Sequence, residues 1–299
     1  MRGSEDGAEI TVPQSFRDMP RWWRGGTDWL DELPGRARTY GERWHLTITG
    51  EMTHGSNAAI IPVTRAGERL VLRLEPPSPA VAAHAEALRF WNGRGTVQLI
   101  DADVNGGAML LEQLGASLHT LPVTEAIPIL GRMMRRLAIK APQQAPNTAD
   151  VIAKRLPTLP TEWERHGRPF PETTLHRALK AGASLARTES QLAVNGDLHS
   201  AQILRGTREP WLTVDPVLMR GDIDYDLARL LWTRIDEMPA PTDILQNFES
   251  AVAAAELTRD QARDCLIYRT TDYWLWSLTA GLTEDPQRCQ RLLTPFTEA

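Results

Sequence analysis

Alternation of apolar and polar side chains at a period of two is confined to the first part of this 299-residue chain, and that asymmetry limits the folds open to it. Residues 43–49 (RWHLTIT) alternate, residues 58–63 form a short apolar run, and residues 69–75 (RLVLRLE) set Leu70, Leu72 and Leu74 on one face. The TRAGE segment at 64–68 reads as a turn, so the last two runs should form a hairpin. A second hairpin is predicted from 96–102 and 108–114, joined by DVNGG at 103–107. Between the hairpins, residues 79–91 open with a proline, are rich in alanine, and carry Val81, Ala85, Leu88 and Trp91 near helical spacing. The reading is a five-stranded antiparallel sheet with one packed helix, in the order three strands, helix, two strands.

Beyond Gly115 the pattern changes to helices and loops. Helices are predicted at 123–140, interrupted near Pro128, and at 172–188, 225–237, 242–257 and 258–282, with a short β-rich patch at 192–215. The proline-rich stretch 141–160 reads as a loop or embellishment. The expected class is therefore α+β, with an N-terminal lobe at 1–114 and a larger, mostly helical C-terminal lobe at 115–299. This length suits two lobes sharing a cleft.

A net charge of -5 argues against bulk nucleic-acid binding and is compatible with a cationic ligand. Only Cys265 and Cys289 occur, with no metal-ligand spacing, and the histidines form no cluster, so a disulfide framework and a zinc site are excluded. A reducing cytoplasm is the expected compartment. Residues 1–10 are polar and acidic, with no apolar signal core, and nothing approaches the roughly 18 apolar residues of a membrane helix. Trp22 and Trp23, between Arg21 and Arg24, are read as packing an N-terminal helix on the body. Monomer and dimer are both open.

The unusual chemistry sits in residues 194–204, VNGDLHSAQIL, where an apolar approach leads into a polar loop and out into a second apolar strand. Downstream, WLTVDP at 211–216 ends another apolar strand on Asp215. Asp197 alone could be a turn residue and Asp215 alone a strand end. Together they can face one cavity, one carboxylate accepting the proton of an attacking hydroxyl and the other holding Mg²⁺ against nucleotide phosphates.

Asp197, an amide five positions later at Gln202, and Asp215 on the next strand reproduce the kinase spacing Asp-x-x-x-x-Asn…Asp. With Gly196 before the aspartate and Leu198-His199 after it, the chain resembles the aminoglycoside phosphotransferases, most of all the streptomycin 6-phosphotransferase and hydroxyurea-resistance kinase branch. EALRFW at 86–91, AMLLEQL at 108–114, REPWLTVDP at 208–216, and Gly221-Asp222 with Asp226-Leu227 carry the same likeness, which extends from about Val12 to the C-terminal helices. The resemblance implies a two-lobed protein-kinase-like fold, ATP or GTP with Mg²⁺ as cofactors, and a cationic or polyol small-molecule acceptor. It assigns Asp197 as catalytic base, with Asp215 and Gln202 as metal ligands. Glu86 corresponds to the helix glutamate that pairs with the ATP-orienting cation, here Arg73. Residues Glu112 to Leu114 correspond to the connector whose backbone binds adenine, and the loop at 50–57, with Gly55 and Ser56, to the one covering the phosphates.

Three positions depart from the family pattern: Arg73 replaces a lysine, Asn195 a frequent histidine, and Gln202 an asparagine. Arginine brings a planar fork in place of a point charge, and glutamine moves the amide by roughly 1 Å, a shift that can cost on the order of a hundredfold in rate. Three functions stay open on the sequence: an antibiotic-phosphorylating kinase, a metabolic kinase for another small polyol, and a nucleotide-binding pseudokinase.

Overall fold

The computed structural model describes residues 10–22 and 26–297. Residues 1–9, 23–25 and 298–299, and with them Trp23 and Arg24 of the tryptophan pair noted above, lie outside the described residues. The chain divides into two compact units, Met1–Gly115 and Ala116–Ala299.

In the first unit, α1 (Gln14–Arg17) and α2 (Asp28–Trp44) precede strands β1 (Thr47–Ile48), β2 (Thr53–His54), β3 (Ala59–Arg65) and β4 (Glu68–Leu74). Helix α3 (Pro79–Trp91) and strands β5 (Leu99–Asp103) and β6 (Ala108–Glu112) follow. The strands form an antiparallel sheet in the order β1-β3-β4-β6-β5, with β2 also paired to β3. Leu70, Leu72 and Leu74 are buried, as the alternation requires. The β3–β4 turn places Ala66 and Gly67 at φ 51 and 84, the positive values that let a two-residue loop follow the strand twist.

Two features of this unit differ from expectation. Arg43 and Trp44, read as the start of a strand, instead finish the seventeen-residue helix α2, and only Thr47 and Ile48 of that segment pair with β3. Pro34 and Gly35 inside α2 read as breakers in the sequence. The helix persists because Leu30, Leu33, Ala37, Tyr40 and Trp44, at helical spacing, pack into one core with Ile61, Val63, Leu70 and Leu72. The sheet also has six strands among the described residues, since β2 adds a two-residue pairing within the 50–57 loop.

The second unit contains α4 (Val123–Leu137), α5 (Thr148–Arg155), α6 (Leu159–Arg165), α7 (Glu172–Leu185), α8 (Leu227–Trp232), α9 (Pro241–Ala255), α10 (Arg259–Thr279) and α11 (Asp285–Thr297). Strand β7 (Leu192–Val194) pairs with β10 (Met219–Gly221), and β8 (Ile203–Arg205) with β9 (Trp211–Thr213). Helix α4 runs through Pro128 without a break. The proline is offset by an apolar face of Ile127, Leu130, Met134 and Leu137, all buried. The 141–160 segment, read as a loop or an embellishment between helices, contains α5 and begins α6. Asn147 starts α5 by accepting the N–H of Ala149 (2.9 Å), and Ile152, Leu159 and Trp163 bury the apolar side of the pair. Among the described residues, no helix is long and apolar enough to cross a membrane.

Helices α4 and α9 approach closely at Gly131. A Cβ there would lie 2.9 Å from both the Ala251 carbonyl oxygen and the Ala254 Cβ. Gly→Ala inside a helix ordinarily gains up to about 1 kcal/mol, whereas overpacking a close contact costs about 1–3 kcal/mol. The steric cost should win. Gly131→Ala is expected to lower unfolding stability in urea by about 1 kcal/mol, and a stabilised variant would contradict this packing.

Candidate active site

Residues 195–202 leave β7 and are held in shape from three sides. Gly196 lies at φ 77, and a Cβ there would sit 2.8 Å from the Met219 sulfur, so the turn requires glycine. The Asn195 side chain accepts the N–H of Val217 (2.9 Å), tying the loop to the segment leading into β10. Beneath it, Asp226 Oδ2 accepts the N–H of Asn195 (3.2 Å). A short helical turn at Ser200–Gln202 closes the loop. It is braced by His119 Nδ1 against the Ser200 hydroxyl (3.0 Å) and by the Ser117 hydroxyl donating to the Ser200 carbonyl (3.3 Å).

On this frame Gln202 meets Asp197, and Asp197 and Asp215 both lie close enough to His199 to act on its charge. Gln202 Nε2 donates to Asp197 Oδ2 (3.3 Å). The N–H of Val214 donates to the Gln202 carbonyl (2.9 Å), extending the β8–β9 ladder by one bond and setting Asp215 one residue beyond it. The Gln202 side-chain oxygen is buried and has no hydrogen-bond partner. An uncompensated buried amide oxygen is costly, and it is the kind of donor a hard cation takes. The residues present therefore fit a divalent ion.

Asp197 also has a partner that no spacing rule announced. Arg229, in the first turn of α8, donates from Nε to Asp197 Oδ1 (2.7 Å), and its guanidinium lies 5.3 Å from the Trp232 ring centroid. Arg229, Trp232, Arg269, Thr270 and Tyr273 line a small adjoining cavity. His199 is 4.0 Å from Asp197, beyond hydrogen-bond reach, and burial lowers its pKa. That favours a neutral, structural imidazole. Of the two tryptophans in α10, Trp274 is buried against Phe170, while Trp276 is half-exposed and stacks on Tyr273 (5.4 Å). Asp272 is engaged by Arg155 (2.7 Å).

In the first unit, Gly55 and Ser56 are exposed at the end of β2, where the Gly55 N–H closes a turn onto the Ala58 carbonyl (3.0 Å). Arg73 is buried on β4, and its ion pair is with Glu75 (3.1 Å). The expected partner, Glu86, is exposed on α3. The reason is geometric. Arg73 and Glu75 are two residues apart along one extended segment and share a face, whereas Glu86 lies roughly 200° around the helix from His84, which is buried. The Glu112 carboxylate accepts the N–H of Gln98 (2.8 Å), and Leu114 is half-buried just before the unit ends.

Residues 43–281 match the model of the aminoglycoside/hydroxyurea antibiotic resistance kinase family. The chain belongs to this family. A hydroxyurea phosphotransferase from Kitasatospora aureofaciens is 30% identical over 291 residues, covering 94% of this chain and 84% of that relative. A streptomycin 6-kinase from Streptomyces glaucescens is 30% identical over 282 residues, covering 91% and 92%. Among solved structures, a ternary complex of aminoglycoside phosphotransferase APH(4)-Ia with AMP-PNP and hygromycin B aligns with a TM-score of 0.59 at 16% identity, over 88% of this chain and 99% of that one. The choline kinase LicA from Streptococcus pneumoniae aligns with a TM-score of 0.58 at 11% identity, over 88% and 99%. The fold is thus that of the protein-kinase-like small-molecule kinases, and the chain is a phosphotransferase acting on a hydroxyl group.

Burial pushes the Asp226 carboxyl up to about 7 from its ordinary 3.8, and Asp224, beside Asp222, up to about 6. Nothing pairs with Asp226 Oδ1 to offset the desolvation. A raised carboxyl pKa makes the folded state bind the extra proton. Its contribution to stability is full below the ordinary value and is lost as pH rises toward 7. Asp226→Asn keeps an acceptor for the Asn195 N–H and removes the titration. Between about pH 5 and 7 the wild type should lose up to ~1.4 kcal/mol per pH unit relative to the variant. Urea unfolding at the two pH values tests this, and a constant difference would refute it.

Proposed function

We propose that this protein phosphorylates a hydroxyl group of a streptomycin-like aminoglycoside or related aminocyclitol, using ATP and Mg²⁺. The observation that carries the reading is the Gln202 side chain on Asp197, its amide oxygen buried and unpaired, with Asp215 one residue beyond the Val214–Gln202 backbone bond. The identity of about 30% with a streptomycin 6-kinase over nearly the whole length supports the acceptor class. ADP or AMP-PNP accompanies hygromycin B in APH(4)-Ia complexes, which supports an adenine nucleotide over GTP.

Asp197 is assigned as the general base. As the acceptor oxygen attacks the γ-phosphorus, its proton passes to an Asp197 oxygen, the bond from phosphorus to the β–γ bridging oxygen breaks, and ADP carries away the electron pair. Arg229 on one oxygen and Gln202 on the other fix the plane of the carboxylate. Each oxygen keeps a lone pair for the incoming proton. Asp215 and the Gln202 amide oxygen would hold Mg²⁺, which when bound neutralises charge on the phosphates. In the first unit, Gly55 and Ser56 are assigned to phosphate contact, Arg73 to phosphate charge with Glu75 orienting its guanidinium, and the backbone from Glu112 to Leu114 to adenine.

A coupled assay for ADP release with streptomycin as acceptor, and hydroxyurea in parallel because one relative is a hydroxyurea phosphotransferase, tests the acceptor class. Asp197→Asn should lower kcat by about 10²- to 10⁴-fold and leave KM for ATP nearly unchanged. Turnover of neither acceptor by the wild type would overturn the substrate assignment. Near-normal turnover by Asp197→Asn would overturn the base. Gln202→Ala should raise the Mg²⁺ concentration needed for half-maximal rate by about tenfold or more, as loss of one coordinating oxygen predicts.

A further inference from the structure

The strongest unexplained contacts in the first unit join its N-terminal residues to the loop at 50–57. The Ser15 hydroxyl lies 2.7 Å from His54 Nε2. His54 Nδ1 lies 2.9 Å from the Gly55 carbonyl oxygen. A carbonyl only accepts, so Nδ1 carries the proton and Nε2 of the neutral ring accepts from Ser15. Phe16 stacks on the His54 ring, with centroids 4.7 Å apart and planes at 16°. Arg21 donates to the Asn57 carbonyl at the far side of the loop (3.2 Å). Both flanks of Gly55 and Ser56 are therefore held by residues distant in sequence.

The holding residues are themselves rooted. Phe16 is fully buried and meets Trp22 edge-on (5.3 Å), and Trp22 stacks on Trp29 of α2 (5.5 Å). Arg21 lies over the Trp22 ring (4.7 Å). Helix α2 in turn packs into the core that includes β3 and β4. The chain of contacts runs from the sheet through an aromatic cluster to the loop. Residues 14–22 precede the segment matched by the family model, which begins at residue 43.

We propose that residues 14–22 form a clip that positions the 50–57 loop and thereby sets the affinity for nucleotide. This rests on the reading of that loop as the phosphate cover. A loop already held in one conformation loses less conformational entropy on binding than a free one. Ser15, Phe16 and Arg21 are positioning residues, acting through His54 and Asn57.

The test pairs an amide hydrogen-exchange measurement on peptides covering 50–60 with steady-state kinetics. Ser15 is exposed, so Ser15→Ala should fold normally. It should speed exchange in the loop and raise KM for ATP by about 3- to 10-fold, the equivalent of one hydrogen bond, at unchanged kcat. Ser15→Thr should restore both. In a His54→Phe background, which keeps the stack but removes the acceptor, Ser15→Ala should add nothing further. Unchanged exchange in Ser15→Ala would overturn the clip itself. Faster exchange with unchanged or tighter ATP binding would overturn its role in affinity. Faster exchange in a chain whose wild type binds no ATP would instead overturn the reading of the loop as a phosphate cover.

Discussion

The position of Asp197 depends on a carboxylate that never meets the reacting atoms. Asp226 is almost fully buried below the 195–202 loop and accepts the Asn195 N–H. That bond fixes the residue before Gly196, where the chain turns through positive φ. Burying such a group is costly unless hydrogen bonds repay it, and here the repayment is incomplete, since one oxygen has no partner. The upward shift of its pKa expresses that imbalance. The second unit thus spends stability to hold one loop in one shape, as expected where geometry matters more than economy.

The departure at position 202 looks different once the loop is in view. With glutamine at this position, Nε2 donates to Asp197 while Oε1 is buried without a hydrogen-bond partner. On the proposed assignment of Asp197 as base and Gln202 as metal ligand, the substitution couples the two roles through one side chain. At position 73 the change also has a local counterpart. A guanidinium buried on β4 needs a charged partner, and Glu75, on the same face, supplies it.

What could be read from the sequence and what could not divides along the range of the interactions involved. The β3–β4 hairpin and α3 were legible because period-two and helical spacing are local, and turn residues such as Gly67 mark their ends. Asp197 and Gln202 stood out in a polar loop between apolar strands, and Asp215 as a carboxylate ending the next one. Helix α2 was hidden because Pro34 and Gly35 weaken local propensity, and only packing on the sheet restores it. Helices α5 and α6 were hidden by prolines in the same way. Glu86 is exposed on α3, two residues from the buried His84, while Glu75 pairs with Arg73 along the same extended segment, a local pairing that the spacing did not single out. Arg229 left no trace in the sequence, since its pairing with Asp197 spans 32 residues and arises only when α8 docks beside the loop.

Arg229 and Asp226 therefore act on the same loop with opposite character. The Arg229–Asp197 pair is about one-third exposed on both sides, and ion pairs at such exposure contribute at most about 1 kcal/mol. A bond that weak can orient Asp197 before an acceptor arrives and yield when an acceptor hydroxyl competes for the same carboxylate. Asp226 cannot yield without exposing the backbone of the loop. On the proposed role of Asp197 as base, the buried carboxylate fixes where it stands, and the surface arginine sets only how its oxygens are turned. The cost of that division falls on the acceptor, which must approach a carboxylate already screened by a cation. A polycationic acceptor gains less from Asp197 itself than its charge suggests, so its recognition has to draw on hydroxyl contacts as well.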